Sequence, residues 1–256
     1  ALGAVTWRAE GGLTLNPSDW AAVRFTIWQA MWSAFFSCLL AVPVARAMAR
    51  RRFWGRSFLI TLLGAPFLLP VIVAVLGLLA IFGRSGLLND ALTLIGFETV
   101  SIYGLHGVVL AHVFFNLPLA TRLLLQGWQS VPAEQFRLSA QLGTPPSMVF
   151  QLIEKPLLLR SLPGAFALVF VICLTSFAVA LTLGGGPRAT TIELAIYQAF
   201  RFDFDLGRAA VLSLVQLGVA GGAAVLAFWL VPQITFGAGL DRMQQRWDVR
   251  GGVSLA

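Results

Sequence analysis

Few residues in this chain have types and spacings that could carry chemistry. His106 and His112 lie six apart, off the i, i+4 step that brings two imidazoles to one helical face for a metal. That spacing favours packing, with one ring nitrogen satisfied by a neighbour. Cys38 and Cys173 both sit inside apolar runs and read as small buried hydrophobes, not as a disulfide or a metal pair. Gly184-Gly185-Gly186 lacks the Lys-Ser/Thr that completes a phosphate loop, so it reads as a close-approach turn at the mouth of a helix. The signatures GxxxxGK[ST], HExxH, GxSxG and CxxC do not occur. Asn116, Thr121, Thr175 and Ser176 are polar residues inside apolar runs. Such residues either line a polar path or hydrogen-bond a neighbouring helix.

The longest polar interruption, Trp128 to Pro163, has a different pattern. From Pro132 it reads as an amphipathic helix, with Phe136, Ala140 and Gly143 at three- and four-residue steps and Glu134, Arg137 and Gln141 on other faces. Gly143-Thr144-Pro145-Pro146 stops that helix, and Ser147 is positioned to cap a second through Met148, Phe150 and Ile153. Pro132, Pro145, Pro146 and Pro156 are expected to divide the segment into short helices. A helical elbow of this kind on a membrane surface is a docking surface.

The elements that must hold these residues follow from composition. The 256 residues are 58% hydrophobic and 11% charged, with a mean hydropathy of +0.82. A soluble domain carries roughly 25% charged residues, so this is an integral membrane chain. Several apolar runs reach the roughly 20 residues a spanning helix needs, and none shows the strict alternation of a barrel strand. The formal charge of +7 invites no nucleic-acid partner, because the arginines gather at the ends of apolar runs, as topology signals do.

Five spans are expected: Ala22–Ala45, Phe58–Phe82 bent at Pro66 and Pro70, Gly104–Leu125, Leu162–Leu183 and Ala209–Val231. Arg46, Arg50, Arg51, Arg52 and Arg56 mark one loop as cytoplasmic, as do Arg242, Arg246 and Arg250 after the last span. Gly83–Tyr103, whose apolar part Leu87–Ile95 is too short to cross, and Arg188–Arg208, with a helical piece at Thr191–Phe200, fall outside. Trp20, Trp54, Trp128 and Trp229 are placed at interfaces, and Arg122 snorkels towards the cytoplasmic surface. No signal peptide is read at the start; Ala1–Trp7 reads as the tail of an earlier span in a longer protein.

The elbow also carries a spacing. Gly143, nine residues, Ile153, two residues and Pro156 resemble the E-A-A-x3-G-x9-I-x-L-P signature of permease subunits of binding-protein-dependent ABC importers. Arg137, Leu138 and Ser139 stand in the E-A-A slots and Lys155 replaces the Leu. RFTIWQA (Arg24–Ala30), GLHGVVLAHVFFNLPLATRLLLQ (Gly104–Gln126), AEQFRLSAQLG and LGGGPRATTIELAIYQAF (Leu183–Phe200) look like the first half of thiamine and thiamine-pyrophosphate importer permeases, a family that fuses two homologous halves.

The resemblance implies an all-α, polytopic transmembrane helical bundle of the methionine-permease-like ABC importer type, about five spans plus a cytoplasmic coupling elbow at 128–160, in one permease domain. It implies an inner-membrane location, an ABC ATPase subunit that binds ATP and Mg, a periplasmic thiamine-binding protein and a second permease half. No cofactor and no covalent chemistry are assigned to this chain itself. Carried over by position, Glu134, Gln135, Arg137, Leu138, Ala140, Gly143, Thr144, Ile153 and Pro156 are the expected ATPase-coupling residues. Phe115, Asn116, Thr175, Ser176, Phe177, Gly184, Gly185 and Gly186 are candidates for the translocation path, with aromatic faces suited to a cation. Iron(III) is the nearest rival substrate, and a non-transporting scaffold is the rival of another class. A secondary carrier would place ionisable residues mid-membrane, and the spans are nearly free of Asp, Glu and Lys.

Overall fold

The computed structural model describes residues 15–51, 53–184, 186 and 189–230. The expectations for Ala1–Trp7, Arg52, Gly185, Pro187, Arg188, Arg242, Arg246 and Arg250 lie outside them. Among the described residues there is no strand. The helices are α1 (Pro17–Arg50), α2 (Arg56–Leu62), α3 (Ala65–Leu68), α4 (Val71–Phe82), α5 (Leu87–Leu94), α6 (Leu105–Ser130), α7 (Ala133–Gln141), α8 (Pro146–Val149), α9 (Lys155–Leu174), α10 (Phe177–Leu183), α11 (Ile192–Arg201) and α12 (Leu206–Leu230). A π-helical turn, Phe150–Glu154, joins α8 to α9.

Five stretches are long and apolar enough to cross a membrane: Pro17–Arg50, Val71–Leu94, Leu105–Ser130, Pro146–Leu174 and Leu206–Trp229. The chain is a multi-pass membrane protein, and its helices are turned inside out relative to a soluble bundle. On α1 the buried stripe is small or polar: Ala22, Thr26, Ala30, Ser33, Ser37, Ala41 and Ala45. Trp28, Met31, Phe35, Leu39 and Leu40 are exposed on the same helix. Small residues let helix backbones approach closely where no hydrophobic force acts between helices, and the bulky apolar side chains suit lipid. In α6, 50% of the most apolar stretch is buried, against 17% in α12, so α6 is the more enclosed.

By internal contacts the chain divides into two compact units. Of the described residues, one holds those within 15–34, 69–113 and 170–226, the other those within 35–68, 114–169 and 227–230. In the first, Ala22, Val23, Ile192, Ala195 and Leu212 form a buried cluster joined by Leu15, Ile196 and Val215. Asn89 pins the loop after α4: its side-chain amide donates to the Gly83 and Val100 carbonyls and its oxygen accepts from the Val100 N–H. In the second, Val131, Phe136 and Val149 are buried together, with Ile153 and Leu157 against them.

Several expectations change. The span drawn at Phe58–Phe82 is three helices, broken after Leu62 and Leu68. Pro66 and Pro70 have no N–H to continue a ladder, so each sits where a helix restarts, Pro70 as the N-cap of α4. α4 alone is ~18 Å long, short of the ~30 Å hydrocarbon core. The fourth span runs earlier than drawn, from Pro146 to Leu174. Pro156 does not break it, because the preceding π turn, in which the Lys155 N–H reaches the Phe150 carbonyl, takes up the local register change. Pro145, not Ser147, is the N-cap of α8, and Pro146 takes the first helical position, where a missing N–H costs nothing. Trp128, near the end of α6, is 1% exposed and packs inside the protein, whereas Trp20, Trp54 and Trp229 are exposed. Thr175 and Ser176 are not mid-helix but form a break between α9 and α10.

Candidate functional site

The elbow forms as a helix, a tight turn and a second helix. α7 ends in a Schellman-type closure, with the Thr144 N–H on the Ser139 carbonyl at 3.0 Å and the Gly143 N–H on the Ala140 carbonyl at 3.1 Å. Gly143 holds φ +64°, the left-handed region that favours glycine. A Cβ there would meet nothing within 4 Å, so the turn requires the glycine and crowding within the chain does not. Phe136 anchors α7 inward against Val131 and Val149. Glu134, Gln135, Arg137, Leu138 and Gly143 face outward, and so does Pro156, while Ala140, Thr144 and Ile153 are half-buried. Leu142, 74% exposed, and Met148 extend this surface beyond the residues expected from the sequence.

Beneath the elbow is a group the sequence reading left out. Glu154 is 0% exposed. Its Oε2 accepts from Arg46 Nε at 2.6 Å and its Oε1 from Arg50 Nη1. The Arg50 guanidinium also stacks over the Phe136 ring at 5.1 Å, and that of Arg46 over Phe150 at 5.6 Å. Two arginines read only as topology signals therefore tie the end of α1 to both sides of the elbow. The available signal was their i, i+4 spacing beside the lone acid at the start of the fourth span.

A second polar constellation surrounds the break at Thr175–Ser176. Breaking a helix leaves its last carbonyls without N–H partners. Gln29 Nε2 of α1 donates to the Cys173 carbonyl at 2.8 Å and Gln216 Nε2 of α12 to that of Leu174 at 3.0 Å. The Oε1 atoms of both glutamines are buried without a hydrogen-bond partner. Glu193, on the first turn of α11, lies beside Gln216. Its burial raises the carboxyl pKa above the usual range, with the Gln216 side chain pulling the other way. That first turn is not a surface feature: the Ile192 N–H donates to Thr26 Oγ1 at 2.9 Å, inside the bundle. Phe177 and Tyr197 meet edge to face at 5.4 Å, and Tyr197 meets Phe202 at 5.8 Å.

The candidate path residues separate accordingly. Thr175, Ser176, Phe177, Gly184 and Gly186 belong to the first compact unit, Phe115 and Asn116 to the second. Asn116 is buried and Phe115 half-buried. Gly184 is a close approach, since a Cβ would lie 2.4 Å from the Ala180 carbonyl oxygen and 2.8 Å from that of Ala189. Gly186 is exposed, with φ +125°. His112 packs in the core with Nδ1 3.1 Å from Ser33 Oγ, while exposed His106 bonds the Ser101 carbonyl. Among the described residues no group of three His, Cys, Asp or Glu could hold a metal.

No family model matches the chain. Among curated proteins, the thiamine transport system permease protein ThiP of Brucella abortus (strain 2308) is 50% identical over 202 residues, 78% of this chain and 37% of that one. ThiP of Escherichia coli (strain K12) is 50% identical over 209 residues, 81% of this chain and 39% of that one. The chain thus spans about two fifths of the length of these relatives. Among solved structures, a bacterial ABC transporter involved in the import of the acidic polysaccharide alginate superposes with a TM-score of 0.69 at 18% identity, over 86% of this chain and 81% of its own. The alginate transporter in complex with an alginate pentasaccharide-bound periplasmic protein gives 0.67 at 17% identity, over 83% and 77%. The fold is that of an ABC importer permease, and the sequence is similar to the thiamine transport permeases.

Proposed function

We propose that this chain is the greater part of one half of a two-half permease that imports thiamine or its phosphates across a bacterial inner membrane by alternating access. The observation that carries this is 50% identity to thiamine transport permeases over 202 residues, on a backbone with the ABC permease fold. The surface of α7 and its turn, with Leu138, Leu142 and Met148 exposed around Gly143, would seat in an ABC ATPase subunit. That partner would bind ATP with Mg and supply the stroke. Glu154 and its two arginines would transmit the stroke from the elbow to α1. A periplasmic binding protein would deliver substrate to the outer loops, and the broken helices α9 and α10 would line part of the path, as discontinuous helices do in transporters.

The test is genetic and direct. Deleting the gene in a thiamine auxotroph should abolish growth on scavenged external thiamine, and the full permease should co-purify with a separate ATPase. Loss of iron uptake with normal thiamine scavenging would assign a different substrate.

A further inference from the structure

Resting on the transport reading above, we infer that Gln29, Glu193 and Gln216, gathered at the carbonyl end of α9, form a subsite for an aromatic organic cation, in that reading the thiazolium ring of thiamine. α9 stops at Leu174, the last residue of the fourth apolar stretch, and the chain restarts as α10 at Phe177. Gln29 lies ~18 Å along α1 and Gln216 ~15 Å along α12, close to the middle of a ~30 Å core. The end of a helix there carries partial negative charge, and unwound backbone carbonyls at such ends coordinate cations in transporters.

The two glutamines sharpen that field. Each donates its N–H to one of two consecutive carbonyls, Cys173 and Leu174, so both amides are fixed at the break. Capping takes one N–H of each amide and neither oxygen. Both Oε1 atoms remain buried and unpartnered, although Gln29 is 0% exposed. The third acceptor, the Glu193 carboxylate, makes no salt bridge among the described residues, in a chain with a net charge of +7. Each amide has a second N–H, and that of Gln216 meets the Glu193 side chain, so among these three residues acceptors outnumber free donors. A cation would find three acceptors, and its charge would offset the burial of Glu193. The aromatic chain of Phe177, Tyr197 and Phe202 starts at the first residue of α10 and adds ring faces for a flat cationic heterocycle. The glutamine oxygens are sealed from solvent in this structure, so ligand entry requires the helices around them to open.

The test uses the full-length permease with its ATPase and binding protein in liposomes. Uptake of thiamine is compared with uptake of its uncharged isostere, in which a thiophene replaces the thiazolium. The binding protein is the same throughout, so changes in the ratio report on the permease. Wild type should prefer the cation, Glu193→Gln should lower that preference about tenfold or more, Glu193→Asp should keep it, and Gln29→Met should lower it independently of Glu193. If wild type has no preference, or takes up thiamine with a ratio that neither Glu193→Gln nor Gln29→Met changes, the subsite is overturned while the transport reading stands. If wild type takes up no thiamine, the transport reading fails and the subsite with it.

Discussion

The Glu154 carboxylate lies fully buried against the Arg50 guanidinium, which at the same time covers the Phe136 ring. One arginine near the end of a spanning helix thus grips the elbow through a charge and a hydrophobic face. Arg46 adds a second, half-exposed contact. Removing one partner of a buried pair leaves the other charge unpaired in low dielectric, at a cost of about 3–5 kcal/mol. Glu154→Gln should therefore lower the thermal midpoint of the purified permease and speed hydrogen exchange in α7 more than in α4. An unchanged midpoint with unchanged exchange would mean that water already screens the pair.

Gly143 separates turn geometry from the proposed docking role. At φ +64° a non-glycine residue costs roughly 1–2 kcal/mol, and no atom within 4 Å resists a side chain. Gly143→Ala and Gly143→Trp should thus destabilise the protein alike, by that backbone term. If α7 seats in the proposed ATPase partner, they should differ in function: the complex carrying the Trp variant should hydrolyse ATP without uptake, while that carrying the Ala variant retains uptake. Normal uptake in Gly143→Trp would place the ATPase elsewhere.

What was legible in the sequence follows from where the physics is local. Span number, the elbow at Ala133–Val149 and the helix start at Thr191 could be read because apolar length, a Gly-Thr-Pro-Pro stop and a capping Thr act within a few residues. The break at Thr175–Ser176 could not. Neither residue forbids a helix, and the break persists because Gln29 and Gln216, remote in sequence, bind the freed carbonyls. The burial of Glu154 was hidden for the same reason, since its partners lie about a hundred residues away. The burial of Trp128 was hidden too, since an amphipathic ring near a helix end reads the same whether it faces lipid or packs inside the protein.

Thr26 shows how a long-range hydrogen bond sets the depth of α11. Its hydroxyl donates to the Ala22 carbonyl at 2.8 Å and accepts from the Ile192 N–H at 2.9 Å. Thr26→Val keeps the shape but leaves a buried N–H without an acceptor, which costs about 1–3 kcal/mol. Thr26→Ser should retain most of the stability. The comparison of the two midpoints in detergent checks this: if Val and Ser behave alike, the hydroxyl contributes only volume.

One end of the first unit depends on Asp19, which is 1% exposed. Its Oδ2 accepts from the Asn16 N–H at 3.0 Å, an arm of the kind that closes a capping box, and its Oδ1 accepts from Arg208 Nη2 at 2.7 Å and Nε at 3.1 Å. The start of α1 and the start of α12 are therefore held by one carboxylate. Asp203 also reaches Arg208, at 3.1 Å, but is exposed, and exposed pairs contribute about 0–1 kcal/mol. Asp19→Ala should destabilise by several times as much as Asp203→Ala. A double-mutant cycle with Arg208→Ala should give a coupling energy of about 0.5–3 kcal/mol for the Asp19 pair. Raising salt from low to physiological strength should weaken the Asp203 contribution and leave that of Asp19 nearly intact, because screening acts on charges that water reaches. Equal salt sensitivity at the two positions would show that Asp19 is open to solvent in the membrane-embedded protein.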